Sequence, residues 1–120
     1  MLQHVSIEVR ADDAPALAEF WRLIGFHEVE PPGPLQGHVT WLERGPTQIH
    51  LLHTEDPTVP QSGHSAVVVE EFDATVSCLR DHDFDPQPAR ELWGARRWFV
   101  RGPAGHLVEL MERPPPTGSA

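Results

Sequence analysis

From Leu2 to Val9 apolar and polar residues alternate. Val5, Ile7 and Val9 fall on one side and His4, Ser6 and Glu8 on the other, the period of a strand with one wet face. Asp12 or Asp13 then stands as a helix cap, with Pro15 tolerated in the first turn. Leu17, Phe20, Trp21 and Ile24 follow the spacing of an amphipathic helix, and Gly25 ends it where a left-handed residue costs least. Three further strands are expected over Phe26 to Glu30, His38 to Glu43 and Thr47 to His53, the last two joined at Arg44-Gly45-Pro46. The first half therefore reads βαβββ. Thr54 to Gly63, with two prolines and a glycine, is a linker.

After the linker the order returns. His64 to Val69 is a strand, Asp73 caps a helix with Val76 and Leu79 inward, and Phe84 to Pro88 is a weak strand broken by prolines. Arg96 to Val100 and Leu107 to Met111 close the half. The Trp-x-x-Arg-Gly-Pro sequence at Trp41 reappears at Trp98, 57 residues later. His4 and His64 are 60 apart, and His50 and Glu109 are 59 apart. A near-constant period with the same element order is the mark of internal duplication. Each half is small for independent stability, so the two should share a core. The expected organisation is one domain over 1–113, with module one at 1–53, a linker at 54–63 and module two at 64–113. Residues 114–120 should form a flexible tail.

Charge narrows the function. Nine arginines and no lysine face eighteen acidic residues, a net charge of −9 that argues against nucleic acid as a partner. No apolar run has the length of a membrane span. Met1 leads straight into a strand, so no leader is expected, and one cysteine, Cys78, has no internal disulfide partner. A reducing cytoplasm is the expected compartment.

Two βαβββ modules, each with a histidine opening its first strand and a polar residue on its last, resemble the vicinal oxygen chelate superfamily of glyoxalases, bleomycin-resistance proteins and extradiol dioxygenases. Phe20-Trp-Arg-Leu-Ile-Gly-Phe and the closing Arg101-Gly-Pro-Ala-Gly-His-Leu-Val-Glu-Leu carry the likeness, which extends to about Arg113. Gly102 stands where the family's closing turn has an aspartate. The resemblance implies an α+β fold whose duplicated modules form a curved half-barrel sheet around a central site. It implies one divalent transition metal (Zn, Ni, Co, Mn or Fe) held by His4, His50, His64 and Glu109, and a homodimer. Metal-dependent glyoxalases carry a carboxylate where this chain has His50, so the ion would keep more positive charge.

The expected activity is that of a glyoxalase-type lyase or isomerase acting on a small molecule that chelates the metal through adjacent oxygens. Glu109, alternating between ligand and base, or Glu8, on the face of His4, would move the proton. Ser6, Trp98 and Arg97 are candidate substrate contacts; Trp93, Arg96 and Arg101 are further possibilities. His53 lies on the opposite face of its strand from His50, and His27, His38, His82 and His106 read as surface or turn residues. The alternatives are a protein that sequesters an aromatic antibiotic without chemistry and an iron-dependent ring-cleaving dioxygenase. Fosfomycin resistance fits less well, since the basic residue expected before the closing strand falls near Ala89.

Overall fold

In the computed structural model, which describes residues 1–118, the chain folds into two four-stranded mixed sheets and two helices. The first unit runs β1 (His4–Val9), α1 (Ala14–Leu23), β2 (His27–Val29), β3 (Val39–Arg44) and β4 (Thr47–His53). The second runs β5 (His64–Val68), α2 (Phe72–Asp81), β6 (Gln87–Pro88), β7 (Arg97–Arg101) and β8 (Leu107–Met111). The sheet orders, β1-β4-β3-β2 and β5-β8-β7-β6, are the same arrangement twice. In each, the first and last strands pair in parallel and the rest antiparallel. The register repeats as well. His4 lies opposite Gln48 and His64 opposite Leu107, so His50 and Glu109 each stand two residues beyond the partner of the module's first histidine. Residues 114–118 contain no helix or strand, and Ser119 and Ala120, the end of the expected tail, lie outside the described residues.

The helix pattern holds in its apolar face and shifts at its caps. Leu17, Phe20, Trp21 and Ile24 are at most 2% exposed, and Val76 and Leu79 are buried on α2. Gly25 has φ +104°, the left-handed turn that ends α1. Asp13 occupies the cap of α1 but its carboxylate makes no capping bond. Asp73 is not a cap: α2 starts at Phe72, and Asp73, in its first turn, accepts from Arg96 Nη1 at 2.7 Å. Arg96 stacks over Phe72 and also reaches Glu112, so one guanidinium ties the helix start to the end of β8.

One core serves both units. Val9, Leu17, Phe20 and Trp21 of the first belong to the same cluster as Val76, Leu79, Val100, Val108 and Leu110 of the second. Burying side chains of this size contributes about 1.5–3 kcal/mol each. Phe20 meets Phe84 edge-to-face with ring centroids 4.9 Å apart. Gly102 is buried against α1, and a Cβ there would lie 3.3 Å from Leu17 and Phe20. The missing turn aspartate thus has a packing reason. Among the described residues no helix is long and apolar enough to cross a membrane.

β1 and β5 are both edge strands. Val5 and Ile7 of one and His64 of the other line a common cavity of about 230 Å³, with Trp21, His106 and Val108 among its other walls. Among the described residues two side-chain bonds cross between the units: His106 Nε2–H donates to the Glu8 carbonyl at 2.7 Å, and Arg44 Nη2 to the Val68 carbonyl at 2.9 Å. The sequence reading of His106 as a surface or turn residue holds for the turn, since it ends the loop before β8, and is corrected for the surface. It is 5% exposed and acts as a link between modules, with its Nδ1 left without a partner.

Candidate metal centre

In module one the ligand candidates form a column of flat rings. Register sets Trp41 of β3 opposite His50 of β4. Their rings are parallel within 3°, 4.3 Å apart, and His4 covers the other face of His50 at 4.0 Å and 18°. His50 is 8% exposed while His4 is open to solvent. Burial, and secondarily the charge His4 acquires on protonation, push the His50 pKa below its usual value. Gln48 fixes the tautomer: its amide nitrogen donates to Glu43, so its oxygen accepts from His50 Nε2 at 2.8 Å. The His50 lone pair is therefore on Nδ1.

Module two builds a charged arrangement at the equivalent place. Glu109, 6% exposed, receives Arg97 Nε–H on Oε2 at 2.9 Å, and its Oε1 lies 3.0 Å from His64 Nε2. His64 Nδ1 lies 2.9 Å from the Ser62 carbonyl, which can only accept, so Nδ1 carries a proton. A neutral His64 then turns its Nε2 lone pair toward a carboxylate oxygen. Two acceptors at 3.0 Å require a positive centre between them, either a second imidazole proton or a metal ion. Phe99 stands across from Glu109 in register and meets His64 edge-on at 5.0 Å.

The Trp-x-x-Arg-Gly-Pro motif aligns Trp98 with Trp41, but the structure separates them. The β3–β4 hairpin joins Arg44 to Thr47, whereas Arg101 pairs with Leu107 across a longer loop. The pairing parity shifts by one residue, so Trp98 falls opposite Leu110 and Phe99 takes the place across from Glu109. Trp98 packs on the helix side, edge-to-face with Phe72 and under Arg80. It therefore stands on the other face of β7 from Phe99, away from Glu109. Of the three arginines considered for an anion, only Arg97 adjoins Glu109; Arg96 is paired with Asp73 and Glu112, and Arg101 donates to the Gly105 and Gln61 carbonyls. Trp93 flanks Arg97, with 5.9 Å from guanidinium to ring. Ser6 stands beside His50 in register and lines the seam cavity with His64. Glu8 accepts the Thr58 amide on Oε1 at 3.0 Å, and among the described residues its Oε2 has no protein partner. His53 is bonded to Thr40, away from the ring column.

The four expected ligands therefore fall into two pairs, His4 with His50 and His64 with Glu109. Among the described residues no three His, Cys, Asp or Glu side chains converge as a metal site. The donor chemistry nonetheless suits a divalent transition ion: a committed Nδ1–H on His64, a free lone pair on His50 Nδ1 and one carboxylate oxygen. The stack suits it less, because near-parallel rings aim their lone pairs along parallel planes, and joint ligation needs one ring to turn.

A family profile described as the Glyoxalase/Bleomycin resistance protein/Dioxygenase superfamily matches residues 2–110. The chain belongs to this superfamily. Within it, a solved glyoxalase family protein from Bacillus anthracis is 21% identical with TM-score 0.82, covering 92% of this chain and 93% of its own. Lactoylglutathione lyase from Agrobacterium tumefaciens is 21% identical with TM-score 0.71, covering 92% of each chain. The fosfomycin resistance protein FosX from Mesorhizobium loti is 16% identical with TM-score 0.73, covering 95% and 92%. At these identities the superfamily's structures share the fold, and one scaffold hosts many chemistries. No curated protein matches the chain.

Proposed function

We propose that this superfamily member is a metal-dependent enzyme of glyoxalase type, acting on a small substrate with two adjacent oxygens, and that its site is assembled between two copies of the chain. The observation that carries the metal reading is His64: with Nδ1–H given to Ser62, its Nε2 and Glu109 Oε1 face one another as two donors to a cation. The separation into half-sites supports the dimer. His4 and His50 of one copy would meet His64 and Glu109 of the other, and the closed two-fold pairing would make two equivalent sites. A divalent ion held there would supply Lewis-acid stabilisation of a substrate oxyanion. Both oxygens of Glu109 are engaged, so proton transfer falls to Glu8: its Oε2 takes a proton from the carbon beside the polarised oxygen and returns it to the neighbouring carbon. Ser6 donates its hydroxyl hydrogen to the substrate. The cytoplasm is the proposed compartment.

Mixing two variants tests the assembly. His50→Ala breaks module one and Glu109→Ala breaks module two; sites shared between copies regain one intact site in each mixed dimer. Refolding the two together should restore about a quarter of wild-type metal occupancy. Sites confined to one chain would restore none. A second reading has its own support: the Trp41–His50–His4 column ends in an exposed imidazole, a platform on which a planar drug would stack. Metal-free protein that binds an aromatic antibiotic tightly would decide for that reading, and stoichiometric iron with oxygen uptake would decide for a ring-cleaving dioxygenase.

A further inference from the structure

The cavity at the seam between the units brings together polar atoms that the fold leaves unpaired. Among the described residues two buried side-chain atoms lack a hydrogen-bond partner, Trp21 Nε1 and His106 Nδ1, and both residues are walls of this one cavity of about 230 Å³. Buried polar groups in folded proteins are nearly always paired, and an unmade bond is destabilising. The two atoms are complementary in chemistry. An indole Nε1–H can only donate. His106 gives its Nε2–H to the Glu8 carbonyl, so its neutral ring keeps a lone pair on Nδ1 and can accept there. Val5, Ile7 and Val108 make the rest of the wall largely apolar. Pro60 and Gly63 in the wall are exposed whereas Trp21, His106 and Val108 are buried, so the cavity leads from solvent to the core.

We propose that this seam cavity is a binding site for a small neutral molecule of the phenol class, a single ring carrying one hydroxyl. Size sets the ring. An apolar cavity of about 150 Å³ is enough for benzene, so one of about 230 Å³ takes one substituted ring and not a drug-sized molecule. The walls set the apolar body: a buried water needs about two to four polar partners, more than valine, isoleucine and proline supply, whereas a ring packs against them. The unpaired atoms set the hydroxyl, which gives its proton to His106 Nδ1 and accepts from Trp21 Nε1. A carboxylate has no proton for His106, and the wall offers it neither lysine nor arginine. The guest touches β1 and α1 of one unit and His106 of the other, so its binding ties the units together. No metal is needed for it.

The test titrates the full-length protein with phenol, toluene and benzoate by calorimetry and follows the indole N–H signals by NMR, the spectrum of Trp21→Phe identifying the Trp21 signal. Phenol should bind with a dissociation constant below about 1 mM and move that signal. Toluene, which lacks the hydroxyl, and benzoate, which is charged and has no proton to give, should each bind at least about tenfold more weakly. Trp21→Phe keeps a ring in the core and removes the donor, so it should lower the phenol-to-toluene affinity ratio at least about fivefold. Absence of phenol binding at about 10 mM would show a cavity that holds water only and would overturn the proposal. Equal wild-type affinities for phenol and toluene, or phenol binding that leaves the Trp21 signal in place, would overturn it too. Where Trp21→Phe does not fold, the wild-type affinity ratio decides.

Discussion

Restoring the family's aspartate at the closing turn, Gly102→Asp, is the substitution on which family pattern and structure disagree. Pattern alone expects neutrality or a gain. The structure places the position against α1, where a Cβ would lie 3.3 Å from Leu17 Cδ1 and from Phe20 Cδ2 and Cε2. Ring and leucine must both give, an overpacking cost of about 1–3 kcal/mol. The carboxylate is brought next to a phenyl ring at a buried position, which adds to the loss. The backbone there is not left-handed, so losing the glycine's unfolded-state freedom returns about 0.4–1 kcal/mol. The net expectation is a loss of about 2 kcal/mol, or roughly 6–12 °C in Tm for a chain of this size.

Urea unfolding followed by tryptophan fluorescence measures it, with the slope unchanged and the midpoint lowered. Phe20→Leu makes room at the same contact. Combined with Gly102→Asp, it should cost at least about 0.5 kcal/mol less than the sum of the two single losses, the coupling expected of residues in contact. A midpoint at or above wild type for Gly102→Asp, or strict additivity with Phe20→Leu, would refute the packing account.

Three other outcomes follow from the site and the shared core. His64→Ala should abolish stoichiometric uptake of divalent metal, read by elemental analysis after dialysis, while Gln48→Ala, which loosens the His50 tautomer, should weaken uptake about 10–100-fold. In metal-free protein Trp41→Ala should raise the His50 pKa toward its ordinary value by opening one face of the buried ring, seen in an NMR titration of the imidazole protons. Arg96 holds the carboxyls of Asp73 and Glu112 below their usual range. Depressed folded-state values mean that this stabilisation is complete above the unfolded-chain pKa of about 4 and is lost as pH falls through the lowered ones. The stability gap between wild type and Arg96→Met, measured in urea, should therefore narrow from pH 5 toward pH 2; a constant gap would show that Arg96 acts through Phe72 stacking alone.

Alternation, helix period and repeat spacing were enough to place every strand and both helices, because those signals are local. The equivalence of His4 with His64 and of His50 with Glu109 was legible from their offsets, which parallel pairing of first and last strands converts into equal registers; that the four fall into two separate pairs was not. The match of Trp98 to Trp41 did not show which way Trp98 faces, because it runs through the Arg-Gly-Pro turn, whereas side-chain facing is set by hairpin length. Counting back from the Leu107 pairing, rather than forward from the tryptophan, would have put Phe99 beside Glu109. The Arg97–Glu109 pair and the His106–Glu8 link had weaker signals. Each depends on where a long or ring side chain goes in three dimensions, and an arginine two residues before the partner position of an acid looks the same whether paired or solvated.

The same alternation explains why a well-packed chain presents its candidate ligands in halves. Ile49 and Leu51 flank His50, and Val108 and Leu110 flank Glu109; all four apolar neighbours are buried in the common core. Successive side chains leave a strand on opposite faces, so the face that carries His50 or Glu109 is the one the core does not use. Packing of α1 against Phe84 and Gly102 joins the two units on the core side. Fold and site are then separable. His64→Ala should change the urea midpoint of metal-free protein by less than about 0.5 kcal/mol equivalent, as a partly exposed residue outside the core would. Gly102→Asp should lower stability and leave metal stoichiometry intact at temperatures where it is folded. If His64→Ala instead unfolded the metal-free chain, the two faces would be coupled through the core, and the case for a site completed by a second copy would lose its structural basis.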